Sequence, residues 1–184
     1  GPQTPEAAFA QNALGRPLDA MGRNQEALIA YRRAWEVWQR ALGKDHPSTL
    51  RAMFNLAYTL QLDATRHAES EALYRDLLAL ASHRLGEQNE ITVYFRLYAG
   101  RFLFETKRYD EAFALLVMPE SRDGLIASAL DNREYYLDTL RELLQHVACA
   151  ENIVKRAAPL DRCALVKSWL DDSGLRAAPQ KKPS

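Results

Sequence analysis

The feature that most limits what this chain can fold into is a period. Three stretches repeat the same sparse marks. In the first they are Leu14-Gly15, Leu18, Gly22-Arg23, Ala27, Tyr31 and Ala34; in the second, Leu56-Ala57, Leu60, Arg66, Ser70, Tyr74 and Leu77; in the third, Ala99-Gly100, Leu103, Arg108, Ala112 and Leu116. Leu14 to Leu56 is 42 residues and Leu56 to Ala99 is 43, whereas Ala27 to Ser70 is 43 and Ser70 to Ala112 is 42. The middle copy therefore holds one extra residue between its two halves. Periods of about 20–50 residues mark architectures in which units stack on one another to build a core.

Each unit reads as a pair of amphipathic helices. In the middle one, His46 to Gly86, Pro47 fits a first helical turn, where its missing N–H has no intrahelical partner to lose. Leu50, Met53, Phe54, Ala57, Leu60 and Leu62 then recur at helical spacing. The pattern lapses around Asp63–Arg66 and resumes with Ala68, Ala72, Leu73, Leu77, Leu80 and Leu85, ending at Gly86, a residue suited to a positive-φ cap. Small residues at Gly15, Ala57 and Gly100 suit a close helix crossing, with Tyr31, Tyr74 and Leu116 filling the space beside them.

These marks resemble the tetratricopeptide repeat family over residues 10–118. The connectors Leu42-Gly43-Lys44-Asp45-His46-Pro47-Ser48-Thr49-Leu50 and Leu85-Gly86-Glu87-Gln88-Asn89-Glu90-Ile91-Thr92-Val93, with Asn55-Leu56-Ala57, are similar to its kinesin-light-chain-like subclass, whose period is about 42 residues. The second connector lacks the His-Pro pair, and the third copy meets Pro119 early. The resemblance implies an all-α fold, a right-handed solenoid of antiparallel helix hairpins. Three hairpins are expected over residues 3–118, a degenerate C-terminal helical cap over 119–175 and a disordered tail over 176–184.

Within that frame the first helix is expected over residues 3–21, with Phe9, Ala13, Leu14 and Leu18 inward and a kink or early end at Pro17. The second is expected from Gln25 to Leu42, with Trp35 and Trp38 as packing residues on one face. After Pro119, Ser121–Leu130 reads as a short helix. Asn132 can cap a longer one bearing Tyr136, Leu137, Leu140, Leu143, Leu144, Val147 and Ala148, and Leu160, Cys163, Ala164, Val166, Trp169 and Leu170 make a last one.

The search for chemistry returns packing. His146 and Cys149 lie three apart on one helix and Cys163 can approach them, but a fourth zinc ligand is missing, so no metal and no cofactor are expected. No nucleophile stands with a histidine and carboxylate, and no glycine loop cradles phosphate, so no enzyme is expected either. If the last hairpin turns near Arg156, Cys149 and Cys163 face one another across antiparallel helices, and a disulfide becomes a candidate. Counting thiols on unreduced, denatured protein decides between a bridge, which argues for export, and a reduced cytosolic pair.

The formal net charge is zero, which removes any overall pull toward nucleic acid or an anionic membrane. No apolar run approaches the roughly 20 residues of a membrane span. Gly1-Pro2 reads as the remnant of a protease site, so the chain is expected to be an excised part of a larger protein. Its compartment stays open between cytoplasm and periplasm.

What remains is a surface. In the family resembled, the first helix of each hairpin lines a concave groove that holds a peptide. The resemblance carries this to Asn12, Arg16 and Asp19 in copy one, Arg51, Asn55, Tyr58 and Gln61 in copy two, and Tyr94, Tyr98, Arg101 and Glu105 in copy three. Amides, arginines and tyrosines suit such recognition, since they bond backbone groups and present flat apolar area. The expected function is protein or peptide binding, as a sensor or regulatory part of a larger bacterial protein such as a kinase or transcription regulator. The alternative is a structural scaffold or homo-oligomerisation module.

Overall fold

The computed structural model describes residues 4–117 and 133–146. Among them are seven α-helices and no strand: α1 (Pro5–Ala20), α2 (Asn24–Leu42), α3 (Pro47–Leu60), α4 (His67–Leu85), α5 (Glu90–Glu105), α6 (Tyr109–Leu116) and α7 (Arg133–His146), with one 3-10 turn at Ala64–Arg66. The chain divides into two compact units, Gly1–Ala99 and Gly100–Ser184. The expected helices beyond α7, the short one at Ser121–Leu130, the Asn132 cap, the tail and the Cys149–Cys163 pair lie outside the described residues.

In the first unit, Thr4 caps α1 by accepting from the Ala7 N–H at 3.2 Å, and Pro5 occupies the first turn. Pro17 does not stop the helix, which runs one more turn to Ala20; what is lost is the one hydrogen bond that a proline nitrogen cannot donate. The end is closed at Gly22, whose φ of +72° lets its own N–H reach the Asp19 carbonyl and the Arg23 N–H the Leu18 carbonyl, both at 2.9 Å. α2 returns alongside. A Cβ on Gly15 would lie 2.3 Å from the Tyr31 ring, so only glycine lets that buried tyrosine cross here. Trp38, buried, donates its Nε1–H to the Pro5 carbonyl at 3.0 Å and ties the open end of the hairpin.

The inward face of α1 differs from the expected one. Ala8, Asn12, Gly15 and Leu18 are buried, while Phe9 and Leu14 are 61% and 52% exposed and Ala13 is exposed too. The helix has two apolar stripes, and the crossing at Gly15 decides which one is covered.

α3 packs onto this hairpin. Leu56 and Leu60 join Leu18, Ala27, Leu28 and Tyr31 in one cluster, and Ala52 joins Ala8, Ala34, Val37 and Trp38 in another. The connector between the hairpins explains its own sequence. Gly43 ends α2 at φ +97°, Thr49 donates its hydroxyl back to the Gly43 carbonyl at 2.8 Å, and His46 caps α3 by accepting from the Ser48 N–H. In the second connector Asn89 takes over that cap, its Oδ1 accepting from Ile91 N–H at 3.0 Å, so the His-Pro pair is dispensable.

The extra residue of the middle copy sits in its turn. No glycine closes α3; Asp63 instead caps the 3-10 turn through Thr65, and Leu62, assigned to the inward stripe, is exposed. α4 then packs with Ser70, Tyr74, Leu77 and Ala81 inward, Ser70 donating to the Ala57 carbonyl at 2.8 Å where a larger side chain would not fit. One staple recurs at the start of every returning helix: Arg23–Glu26, Arg66–Glu69 and Arg108–Glu111, at 2.7, 2.7 and 2.5 Å. Arg32 reaches across from α2 to the same Glu69 at 2.5 Å.

In the second unit, Gly100 on α5 lies so close to α6 that a Cβ there would be 2.4 Å from Leu116 Cγ. The α5 end is closed as α1 is, but with Lys107 at φ 63° in the glycine's place, the Arg108 N–H bonding the Leu103 carbonyl at 2.9 Å. α6 stops at Leu116, short as Pro119 led one to expect. α7 buries Leu137, Leu140 and Leu143 at the spacing read from the sequence.

Candidate peptide-binding surface

α1 and α3 are joined by polar contacts on one side. Asn55 Nδ2 donates to Asn12 Oδ1 at 3.0 Å, and Asp19 Oδ2 accepts from Tyr31 Oη at 3.0 Å and from Thr59 Oγ1 at 2.9 Å. Asp19 Oδ1 is buried beside them with no hydrogen-bond partner among the described residues. Burial first, and then the bond to Asp19, push the Tyr31 phenol well above its ordinary range, so it stays a donor. Asn12 and Asp19 thus serve the seam between two hairpins. Arg16 stays exposed one turn along α1.

α5 meets α3 through aromatic rings. Phe54, buried, is the hub, its centroid 5.1 Å from those of Tyr94 and Tyr98, 5.2 Å from Phe95 and 6.1 Å from Tyr58. Tyr98 stands edge-on to Tyr58 at 5.6 Å and lies 4.7 Å from Tyr94. Offset and edge-to-face pairs of this kind hold rings in fixed orientations. Burial, then a hydrogen bond with Tyr98, raise the Tyr94 phenol, and the Arg16 charge pulls it the other way. Tyr58, at 37% exposure, and Asn55 beside it are open enough to meet a ligand.

The expected set is thus brought together only in part. Asn12, Arg16, Asp19, Asn55, Tyr58, Tyr94 and Tyr98 fall in one connected region of the first unit, and Arg51 is exposed on the same helix as Asn55. Gln61 turns to its own hairpin instead, its Oε1 accepting from Tyr74 Oη at 2.8 Å. Arg101 and Glu105 belong to the second unit and hold each other at 3.0 Å. Arg101 also meets Glu142 at 2.9 Å and Thr139 at 3.4 Å, and lies over the Phe104 and Tyr135 rings. Burial opposes its charge, but Glu105, Tyr135 and Glu142 more than offset that and raise its pKa. Sequence reasoning missed Phe54 as the hub and Thr59 as the hydroxyl on Asp19. Thr59 was findable: it follows Asn55 by one turn.

Among the described residues no helix is long and apolar enough to cross a membrane, and no three His, Cys, Asp or Glu side chains gather as a metal site. Residues 6–83 match the family described as Tetratricopeptide repeat. No curated protein sequence matches the chain. Among solved structures it is similar to the kinesin light chain TPR-like repeats of Podosopora anserina, with a TM-score of 0.56 and 17% identity over 94% of this chain and 89% of that one. A single-substitution variant of the same protein gives 0.55 at the same identity and coverage. A likeness this distant speaks for the fold. Residues 6–83 thus carry the tetratricopeptide repeat pattern, and the fold of the chain is similar to that of the kinesin light chain TPR-like repeats.

Proposed function

We infer that the chain is an interaction or scaffolding module, as tetratricopeptide repeats, which are typically non-catalytic, generally are. We propose that this chain binds an extended segment of a protein partner over the α1–α3–α5 face of its first unit. The supporting observation is the fixed tyrosine cluster on Phe54, with Asn55 and the exposed Arg51 on the same helix and Arg16 exposed on α1. Those two guanidiniums make no ion pair among the described residues. Rings supply flat apolar area at little entropic cost, Asn55 bonds a peptide backbone, and the arginines favour acidic side chains. The preferred ligand is therefore an extended segment with acidic and aromatic residues.

In this reading residues 3–118 are the binding repeats and 119–175 their cap. The whole serves as a sensor or regulatory part of a larger bacterial protein such as a kinase or transcription regulator. The test is to titrate a partner, once recovered, against Tyr98→Ala, Asn55→Ala and Arg33→Glu. The first two should each lose about 1–3 kcal/mol of affinity and the third, on the exposed side of α2, nothing. Equal affinity for all three would sink the assignment. Because Asn55→Ala also breaks the seam, Asn12→Ala serves as its control: it removes the same bond and should leave affinity nearly intact.

A further inference from the structure

The second connector departs from the first at three places. At the repeat distance of 43, Lys44, Thr49 and Met53 of the first correspond to Glu87, Thr92 and Arg96 of the second. Met53 is buried and Lys44 exposed. In the second connector the buried position carries a guanidinium instead. The Arg96 side chain, 4% exposed, pairs with the Glu87 carboxylate and donates from Nη1 to the Glu87 carbonyl at 3.4 Å. A charge so buried needs an anion beside it. Here that anion stands on the connector, and its side chain is 47% exposed.

The third change is at Thr92. Its counterpart Thr49 donates to the Gly43 carbonyl, whereas Thr92 Oγ1 is buried with no partner among the described residues. The Gly86 carbonyl accepts from the Asn89 N–H in its place. Thr92 lies in the first turn of the 16-residue α5, one turn before Arg96 and on the same side of the helix. A buried guanidinium, an idle hydroxyl one turn away and the first turn of a helix are together the parts of an oxyanion site.

We propose that the second connector binds a small free oxyanion of the phosphate kind, and that Glu87 is the group it displaces. Exchange of one anion for another keeps Arg96 compensated, and the incoming ion gains the Thr92 hydroxyl that Glu87 leaves idle. Arg96 stays in its buried place, whereas Glu87 turns out to water by rotating a side chain that is already half exposed. A guanidinium so enclosed takes a free ion rather than a phosphate carried on a protein. The tethered carboxylate competes at a millimolar effective concentration, so phosphate binds in the millimolar range as well. At about 100° per residue, Arg96 is about 160° around α5 from both Tyr94 and Tyr98, so this site is separate from the tyrosine face.

The experiment is a phosphate titration of the full chain at constant ionic strength, followed by NMR at the Thr92 amide and the Arg96 Nε–H. Saturable shifts are expected at both. Arg96→Met, which installs the residue of the first connector, should abolish them. Thr92→Val should weaken binding about threefold or more. Glu87→Gln, by removing the competitor, should tighten it about tenfold or more. Should that variant not fold, Glu87→Asp, whose shorter carboxylate competes less well, should move the affinity the same way. The absence of a saturable shift in the parent overturns the inference and leaves Arg96 and Glu87 as a closed ion pair. A shift that survives Arg96→Met, or one that Glu87→Gln weakens, overturns it as well.

Discussion

Lysine in the left-handed region costs free energy, and Lys107 sits there at φ 63° because the cap that closes α5 requires it. Gly22 holds the same place at the end of α1 without that cost. Lys107→Gly should therefore stabilise the protein by about 0.5–1 kcal/mol, the relief of strain exceeding the added freedom of the unfolded glycine. Gly22→Ala should cost about 1 kcal/mol although nothing stands within 4 Å of the new Cβ. Urea melts of the two variants measure both signs. Gly15 is a different case, since its constraint is space. Gly15→Ala must displace a Tyr31 ring that is buried and hydrogen-bonded to Asp19, at about 1–3 kcal/mol. A parent-like melt would show that the ring can yield.

At the scale of the element, the two connectors offer a matched comparison. Thr49 and Thr92 occupy equivalent positions and are both buried, but only Thr49 has a partner, the Gly43 carbonyl; Thr92 Oγ1 has none among the described residues. Thr49→Val should cost about 1 kcal/mol and Thr92→Val should be neutral or stabilising, because it removes a buried hydroxyl with nothing to bond. Equal losses in thermal melts would refute the distinction. The repeated Arg–Glu staples make a pH prediction. Hydrogen bonds from Arg23, Arg66 and Arg108 hold Glu26, Glu69 and Glu111 below the usual carboxylate range. What they contribute is present above the unfolded glutamate pKa of about 4.3 and is lost as pH falls through the lower folded values. Carboxylate titration by NMR should find all three below the ordinary glutamate value.

For the molecule as a whole, hairpin boundaries could be read from the sequence because they rest on local chemistry: proline and glycine at fixed offsets, and a small residue opposite a large one. Gly15 with Tyr31 and Gly100 with Leu116 meet as their spacing implied. The facing of α1 could not be read so, because Phe9, Leu14 and Leu18 satisfy helical periodicity equally well and only the α2 crossing separates them. For the same reason Asn12 looked like a ligand contact until Asn55 was seen bonded to it. Arg101 and Glu105 fit the groove pattern by spacing, yet the carboxylates and rings that hold Arg101 come partly from α7, a helix outside the repeat marks. The extra residue of the middle copy has a practical corollary. That hairpin already absorbs a length change between α3 and α4 while both helices keep their packing, at a turn whose Leu62 side chain is exposed. The loop is thus a splice point. A short glycine–serine insert or an affinity tag placed between Leu62 and Asp63 should cost only about 0.6 kcal/mol for each doubling of loop length. It would give a handle for immobilising the protein that leaves both the tyrosine face and α1 clear.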